Sequence, residues 1–436
     1  MSKPKLVTRQ SGPLSGTVTV PGDKSITHRS VIFGAMACGT TTVHGYLPSE
    51  DCQATADAFR MLGVEVLVDG GTMTITSPGW QKFSEADNVI DCGNSGTTAR
   101  LLSGLLSGLP FFSCLTGDAS LRRRPMKRVA EPLGQMGARI AGRDGGNRLP
   151  LAISGQSLSA IDYQSPVASA QVKTALLLAG LTANGTTSVT EPAPSRDHTE
   201  RMLPAFGVKL THNGNHISLK GGQTLTAPCE PILVPGDISS AAFPIAAATL
   251  VPGSEVTIQN VGMNPTRTGF LTIIERMGAD IRRINPREAG GEPVADLLVR
   301  HSPLKGIDIE PALVPSAIDE FPILFAMAAL AEGTTRVTGA GELRVKESDR
   351  ISAMARELGR MGVTVREQPD GMEVDGPITP TGAVCEAYGD HRLAMSMAIL
   401  GLVSEGDTIV DPTPIATSFP GFESLLADLG AAVIDV

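Results

Sequence analysis

The chain has 436 residues, of which 42% are hydrophobic, 19% charged and 4% aromatic. This length allows two or more domains with sizeable cores, and the composition excludes disordered and fibrous proteins. The formal net charge of −9 argues against a nucleic-acid-binding surface, which would need a basic stripe. A local cationic cluster could still bind a small anion.

The N-terminal segment and the cysteines indicate the compartment. The sequence MSKPKLVTRQSGPL lacks the apolar core of a signal peptide, and no apolar run approaches the ~20 residues of a membrane span. The six cysteines form no CxxC pair and His clusters are absent, so neither a disulfide framework nor a zinc site is expected. We therefore expect a cytoplasmic protein with reduced thiols.

In chain order, the sequence repeats one pattern six times. Each copy reads as a strand, a polar cluster, an apolar helix, a second strand, a second helix and a hairpin of two strands. The second helices end in apolar–Gly pairs whose glycines are 74, 70, 71, 84 and 68 residues apart: Gly63, Gly137, Gly207, Gly278, Gly362 and Gly430. A period this long predicts duplicated α/β units, each packed by itself, because solenoid repeats are shorter.

The first repeat shows the pattern best. The segment 16–20 alternates as an opening strand, and 24–38 reads as a buried helix. Ser49 is a suitable cap for a second helix that ends at Leu62. The turn DGG then joins VEVLV to TMTIT in a hairpin. HNGNH in the third repeat and QPDGM in the fifth predict equivalent hairpin turns.

The tetrapeptide VPGD occurs at 20–23 and again at 234–237, three repeats later. It predicts an α/β fold of two similar domains, each of three β-α-β-α-β-β units, joined by two strands that permit hinge closure. The predicted bounds are 22–235 for the first domain, 1–21 and 236–436 for the second, and Pro21 and Pro235 for the hinge. The last repeat stops without a returning strand, so the N-terminal segment is expected to complete a sheet of the last repeats.

Polar and cationic residues recur at the predicted helix starts. Right-handed crossovers make the helices of a domain parallel, so their N-termini, with unpaired N–H groups and positive dipole ends, gather at one end. Cations there oppose the dipole, which favours anion binding over simple capping as their role. They include Lys24, Arg29, Arg122, Arg123, Arg124, Lys173, Arg196, Arg344, Lys346, Arg350 and Arg392. The sequence has no GxxxxGK[ST], GxGxxG or GxSxG motif that would indicate other chemistry.

The motifs GDKSITHR, GNSGTT, RRRPMKR, SAQVK, RDHTERML, RVKESDR and GDHRLAM, in this order, resemble the EPSP synthase family of 3-phosphoshikimate 1-carboxyvinyltransferases. NPTRTG and SAQVK resemble the second sequence class of that family, which includes glyphosate-tolerant members. The resemblance implies the enolpyruvyl transferase fold, with the active site between two domains. It implies transfer of the enolpyruvyl group of phosphoenolpyruvate to the 5-hydroxyl of shikimate 3-phosphate, without a metal or an organic cofactor.

The resemblance also implies roles for individual residues, and arginine forks suit the phosphates and carboxylates of both substrates. Those expected to bind phosphoenolpyruvate are Lys24, Gly96, Arg124, Arg350 and Arg392. Those expected to bind shikimate 3-phosphate are Ser25, Arg29, Ser169, Gln171, Arg196 and Lys346. The same substrate-binding set includes Asn94, Ala170 and Asp319. For the proton transfers, Asp319 is the candidate base and Glu347 the candidate acid, with Lys24 as a possible partner; the alternative for the carboxylates is a surface ion-pair network.

Two positions depart from the family's other class, and a third argues against the resemblance to its glyphosate-tolerant members. Ala170 replaces a second serine, Thr417 stands where that class has a lysine and receives no binding role, and Gly96 is the unsubstituted residue at a position linked to inhibitor tolerance. The glyphosate response therefore stays open.

Three rival functions remain. The sister enzyme that uses UDP-N-acetylglucosamine carries a cysteine where this chain has Ala119, and Cys114 is expected to be core. An RNA 3′-phosphate cyclase is disfavoured by the acidic charge, and a non-enzymatic anion-binding scaffold would not need Asp319 and Glu347. We expect a monomer that binds small molecules, without a nucleic-acid or membrane partner.

Overall fold

The computed structural model describes residues 4–435. Residues 1–3 and 436, which the sequence assigns to the second predicted domain, lie outside the described residues. The chain divides into two compact domains. Here the first domain is Gly22–Val234, and the second combines residues up to Pro21 with those from Pro235 onward.

The first domain contains three repeats. Its helices are Lys24–Met36, Glu50–Met61, Gly96–Ser107, Lys127–Gln135, Ala170–Thr182 and His198–Met202, with a four-residue turn at Arg143–Gly146. Its strands are Cys38–His44, Glu65–Asp69, Thr72–Pro78, Ile90–Asp91, Phe112–Thr116, Arg139–Gly142, Arg148–Ser154, Asp162–Gln164, Thr186–Thr190, Leu210–Asn213, His216–Lys220 and Ile232–Leu233. Short 3₁₀ helices lie at Trp80–Lys82, Leu121–Arg123 and Leu203–Phe206.

The second domain contains the other three repeats. Its helices are Ile238–Leu250, Gly269–Arg276, Val314–Ala317, Phe321–Ala328, Arg350–Arg360, His391–Gly401 and Phe422–Asp428. Its strands are Leu6–Thr8, Ser15–Thr19, Glu255–Gly262, Asp280–Ala289, Glu292–Arg300, Asp308–Ile309, Gly333–Val337, Val365–Gln368, Gly371–Gly376, Thr408–Val410 and Val433–Asp435. Short 3₁₀ helices lie at Pro311–Leu313, Gly341–Val345 and Thr413–Thr417.

Five sheets share one topology of four strands. The first strand pairs parallel with the second, which pairs antiparallel with the third, and the third pairs antiparallel with the hairpin strand that precedes it in sequence. The sixth sheet has three strands, with Leu6–Thr8 between Thr408–Val410 and Val433–Asp435. The expectation that the N-terminal segment completes a sheet of the last repeats is therefore confirmed.

The opening strand of the first repeat needs a correction. The predicted strand at 16–20 exists as Ser15–Thr19, but it pairs parallel with Glu255–Gly262 in the fourth repeat. The first repeat instead receives Ile232–Leu233 beside Cys38–His44. Both segments precede a VPGD sequence, and an alternating pattern cannot tell which of two equivalent sheets a strand will join.

The central helices are buried on all sides. All thirteen residues of Ile238–Leu250 are buried, as are ten of the thirteen in Ala170–Thr182. A helix that is apolar all round belongs in an interior. Each domain has its own hydrophobic core, one from Ile26 to Val234 and the other from Leu6 to Leu429.

Local predictions in the first repeat are close to the structure. Ser49 caps the second helix by accepting a hydrogen bond from the Cys52 amide, and the hairpin forms as expected. The first helix ends at Met36, two residues before the predicted end. The predicted hairpin turns in the third and fifth repeats are confirmed.

The prediction that Cys114 belongs to the core is wrong. Cys114 is only half-buried in the strand Phe112–Thr116, and its neighbours Ser113 and Leu115 face inward instead. The apolar run around Cys114 does not show which residues face the core. In a strand, successive side chains point to opposite faces of the sheet, so Cys114 lies on the face opposite to its buried neighbours.

Helices long and apolar enough to cross a membrane singly do not occur in residues 4–435. One pair of helical segments, Pro311–Ala317 and Phe321–Ala328, is together long and apolar enough, but the two segments meet at a bend of 119°.

Candidate active site

The first group of predicted site residues lies at the start of the helix Lys24–Met36. Asp23 caps this helix by accepting from the Ile26 amide at 2.9 Å. Lys24, the first helical residue, is partly exposed, and its Nζ lies 3.0 Å from Asp51 Oδ2. Asp51 therefore restrains a cation that sits against the positive end of the helix dipole.

Arg29 joins the same helix to the third repeat. It is 3% exposed, its Nε donates to Thr199 Oγ1 at 2.8 Å, and its Nη2 donates to Thr174 Oγ1 at 3.0 Å. Its Nη1 donates to the Ser25 carbonyl, and Arg196 Nη1 reaches the Ser25 hydroxyl at 3.4 Å. The structure thus brings together Ser25, Arg29 and Arg196, which the sequence assigned to one substrate.

A second group surrounds the start of Gly96–Ser107. Arg124 Nη2 donates to Asn94 Oδ1 at 2.7 Å, and Asn94 Nδ2 donates to Asp118 Oδ2 at 2.6 Å. Gly96 is the first helical residue, and a Cβ there would lie 3.3 Å from Arg124 Nη1. The missing side chain leaves the helix N–H groups open beside a guanidinium, an arrangement that suits a phosphate.

Ser169, Ala170 and Gln171 form the third group, at the start of Ala170–Thr182. Ser169 caps the helix by accepting from the Val172 amide, and the Ser169 amide donates to Glu191 Oε1 at 2.7 Å. Ala170 offers no polar group where a serine would add a hydroxyl. The Ser169 hydroxyl and the Gln171 amide are therefore the polar side chains at this helix start.

Lys173 differs from its predicted role. It is 4% exposed, and its Nζ lies 2.9 Å from Glu191 Oε2 and 2.7 Å from Glu200 Oε1. Two buried carboxylates pair with this cation, which gives it a structural role in the third repeat. It holds Glu191, which in turn accepts from the Ser195 hydroxyl at 2.8 Å.

Sequence reasoning missed Arg100. This residue is 7% exposed in Gly96–Ser107, and its Nη1 donates to Gln171 Oε1 at 2.5 Å. The sequence feature that could have indicated Arg100 is its spacing. It lies four residues after Gly96, and therefore on the same face of the helix.

In the second domain, Arg350 is the centre of the candidate catalytic residues. It is 1% exposed at the first position of Arg350–Arg360. Its Nη2 donates to Glu347 Oε2 at 2.8 Å, and its Nη1 to Asp319 Oδ1 at 3.4 Å. Lys346 Nζ also lies 3.3 Å from Asp319 Oδ1. Both candidate proton-transfer carboxylates therefore contact one buried guanidinium.

Asp390 neutralises Arg350 from the other side. It is 0% exposed and caps His391–Gly401 by accepting from the Arg392 amide at 2.9 Å. Burial works to raise the pKa of Asp390, but Arg350 outweighs it and the pKa is lowered. Burial likewise works to lower the pKa of Arg350, and Asp390 and Glu347 reverse that effect and raise it.

Arg392 lies near a second buried cluster that the sequence did not reveal. Burial raises the pKa of Glu320, while Arg392 and Arg267 oppose that rise. Ser239 donates a hydroxyl hydrogen bond to Glu320, and Arg267 Nη2 donates to Ser239 Oγ at 2.7 Å. Glu320, the residue that follows Asp319 in the sequence, is therefore a buried carboxylate close to two arginines.

Thr417, which received no binding role, has a structural one. Its Oγ1 lies 3.2 Å from His391 Nδ1, and it donates to the Pro414 carbonyl at 2.7 Å. His391, the partner in the first of these contacts, is 3% exposed.

Comparison with known proteins identifies the family. The family model described as EPSP synthase (3-phosphoshikimate 1-carboxyvinyltransferase) matches residues 8–426. The chain belongs to the EPSP synthase family. The family and the enzyme class predicted from the sequence are therefore confirmed.

Curated members of the family align over nearly the whole chain. The 3-phosphoshikimate 1-carboxyvinyltransferase of Citrifermentans bemidjiense is 55% identical over 96% of this chain and 97% of its own. That of Geobacter sulfurreducens is 55% identical over 95% of this chain and 96% of its own.

Two solved structures have the same fold. EPSP synthase from Acinetobacter baumannii matches with a TM-score of 0.88 at 47% identity, covering 99% of this chain and 100% of that one. The enolpyruvyl transferase NikO from Streptomyces tendae matches with a TM-score of 0.80 at 19% identity, over 100% of this chain and 99% of its own. The predicted enolpyruvyl transferase fold is confirmed.

Proposed function

We propose that this enzyme transfers the enolpyruvyl group of phosphoenolpyruvate to the 5-hydroxyl of shikimate 3-phosphate and releases phosphate. Family membership over residues 8–426 supports the reaction. The observation that carries the chemistry is the contact of Asp319 and Glu347 with the buried guanidinium of Arg350. Carboxylates that can move protons lie there beside a cation that can hold an anionic substrate.

Addition comes first. The 5-hydroxyl oxygen attacks C2 of phosphoenolpyruvate while Asp319 accepts the hydroxyl proton, and a proton is delivered to the methylene carbon C3. Glu347 is the proposed donor, with Lys24 as its possible partner. This step yields a tetrahedral intermediate with a methyl group at C3.

Elimination then reverses the proton traffic. The C2–O bond to phosphate breaks, a proton leaves C3, and the double bond forms again. Phosphate departs with the electron pair of the broken bond, so the overall reaction needs no oxidant or reductant.

The proposed binding residues divide by domain. For phosphoenolpyruvate we assign Lys24, Asn94, Gly96 and Arg124 of the first domain, with Arg350 and Arg392 of the second. For shikimate 3-phosphate we assign Ser25, Arg29, Ser169, Ala170, Gln171 and Arg196 of the first domain, with Asp319 and Lys346 of the second. Within each domain, hydrogen bonds join several of these residues near helix starts, where anion binding is favoured.

We further propose that the two chain crossings near Pro21 and Pro235 act as a hinge when both substrates bind. Because the two anionic substrates are proposed to contact residues of both domains, their binding would favour such a motion. Small-angle scattering profiles that stay identical with and without both substrates would contradict it. We also expect a cytoplasmic monomer whose partners are these small molecules alone.

Phosphate release tests the function. The enzyme is incubated with phosphoenolpyruvate and either shikimate 3-phosphate or UDP-N-acetylglucosamine as acceptor. Release with shikimate 3-phosphate alone is the expected result. Release with only the other acceptor would replace the proposed acceptor, and no release with either would overturn the proposed reaction.

A further inference from the structure

Arg100 lies between two helix starts to which the proposed function assigns different substrates. Its Nη1 donates to Gln171 Oε1 at 2.5 Å, and its Nη2 donates to the Pro125 carbonyl at 3.0 Å. The side chain is 7% exposed. Arg100 is thus fixed at both ends of its guanidinium, and one of those ends holds the amide of Gln171.

The chemistry of the two side chains determines which way the amide points. Arginine only donates hydrogen bonds, so the amide oxygen of Gln171 must face Arg100. The amide nitrogen then faces Thr97, and Nε2 donates to Thr97 Oγ1 at 3.0 Å. No residue of the described chain accepts the second N–H of this amide, which can therefore serve a ligand oxygen.

We propose that Arg100 is a positioning residue that fixes the amide orientation of Gln171, so that Gln171 donates an N–H to an anionic oxygen of shikimate 3-phosphate. The proposal rests on the proposed function. With a neutral polar residue at position 100, the amide could rotate and turn its oxygen toward the substrate. Two acceptors would then face each other, which costs binding free energy.

Arg100 could also act through its charge alone. A Cβ at Gly96 would lie 3.2 Å from Arg100 Nη1, and Pro125 directly follows Arg124. Removal of the Arg100 charge would weaken the binding of any nearby anion, whatever the orientation of Gln171. The experiment must therefore separate an effect that acts through Gln171 from a direct electrostatic effect of the Arg100 charge.

A double-mutant cycle makes this separation, with the dissociation constant of shikimate 3-phosphate measured by calorimetry. The four proteins are the wild type, Arg100→Gln, Gln171→Ala and the double variant. We expect Arg100→Gln to weaken binding about tenfold in the wild type, the loss typical of one hydrogen bond to a charged group. In the Gln171→Ala background, the same change should weaken binding less than about twofold, because groups that act as one unit are not additive.

An equal loss in both backgrounds, or no loss in the wild type, would overturn the proposal. Arg100→Lys keeps a donor-only side chain and should retain most of the affinity. The matched control is Arg139→Gln, at an exposed position of the same domain, and it should leave the affinity unchanged. Thermal unfolding of each variant shows whether a loss reflects folding instead.

Gln171→Glu supplies an independent test if Arg100→Gln does not fold. It keeps the oxygen that faces Arg100 and replaces the N–H groups with a second acceptor, so shikimate 3-phosphate should bind at least tenfold more weakly to a stable protein. Unchanged affinity would refute the proposal. If the wild type itself failed to bind shikimate 3-phosphate, the proposed function would be wrong. That outcome is distinct from a failure of the Arg100 proposal, in which the wild type binds and the variants behave differently from expectation.

Discussion

Arg350 and Asp390 form a bidentate ion pair inside the second domain. Arg350 Nε donates to Asp390 Oδ2 at 2.8 Å, and Nη2 donates to Oδ1 at 3.2 Å. Neither side chain is more than 1% exposed. Because Asp390 caps one helix and Arg350 begins another, the pair locks two helix starts and aims the remaining guanidinium nitrogen at Asp319.

Asp390→Asn should lower the free energy of unfolding by roughly 3–5 kcal/mol at pH 7, because it leaves a buried arginine with one charged partner fewer. Urea denaturation measures the change. Asp308→Asn is the matched control, since Asp308 pairs with Arg336 at a site that is 74% exposed, and it should change stability by less than about 1 kcal/mol. Equal effects of the two substitutions would contradict the assignment.

The lowered pKa of Asp390 gives that contribution a pH dependence. The stabilisation is fully present above the unfolded pKa of about 4 and is lost as the pH falls toward the lower folded value. The stability difference between the wild type and Asp390→Asn should therefore be constant from pH 7 to about 5 and shrink below about 4. A difference that grows on acidification would be inconsistent with a lowered pKa.

Asp319→Asn and Glu347→Gln should each lower kcat by a factor of about 10² to 10⁴, the usual contribution of a positioned acid or base. Both substitutions keep the size of the side chain. Single-turnover rates and circular dichroism should show a slow reaction in a folded protein. The matched control is Glu310→Gln, at a site that is 63% exposed. Near-normal turnover of either variant would remove that residue from the mechanism.

His28 should make the first domain sensitive to acid. Burial lowers its pKa to about 3, and Lys24 and Arg29 add to that effect. Its Nδ1 lies 2.7 Å from Thr55 Oγ1. Because the folded pKa lies below the unfolded value of about 6.5, stability is retained above pH 6.5 and falls by about 1.4 kcal/mol per pH unit from there to about pH 3.

His28→Asn, whose amide can replace the hydrogen bond of Nδ1, should remove that slope while it lowers stability at pH 7. Denaturation at pH 7, 6 and 5 measures the slope. His212→Asn, at an exposed position of the same domain, should keep it. Parallel slopes in the wild type and His28→Asn would show that another group causes the acid sensitivity.

Lys173→Met should destabilise the protein by about 3–5 kcal/mol, because Glu191 and Glu200 would then share a buried site without a cation. Adding Glu200→Gln should restore part of the loss. Lys127→Met serves as the control, since its pair with Glu131 is about 60% exposed and should contribute little. A fully additive double variant would mean that Lys173 and Glu200 are not coupled.

Gly96→Ala should raise the KM for phosphoenolpyruvate more than it lowers kcat. The added methyl group would lie 3.2 Å from Arg100 Nη1 and 3.3 Å from Arg124 Nη1, so both guanidinium groups must shift. Gly134→Ala is the control in the same domain, since a Cβ there meets no atom within 4 Å. If the KM stayed unchanged, phosphate would not bind against Gly96.

The sequence by itself determined the repeat, the elements and the residue types at the helix starts. Ser49, the DGG turn and the Ala- and Leu-rich central helices form as predicted because capping, turn conformation and apolar composition act over a few residues. The motif order also sufficed for the family.

Only the tertiary structure decided the contacts between distant segments. Ser15–Thr19 and Ile232–Leu233 both precede VPGD, yet each joins a sheet that its own sequence does not specify. Lys173 looked like a ligand-binding cation until folding placed Glu191 and Glu200 against it. Arg100 had no evident role until Gln171, 71 residues away, came within 2.5 Å. Such pairings depend on which surfaces the chain buries together, and local patterns carry no information about them.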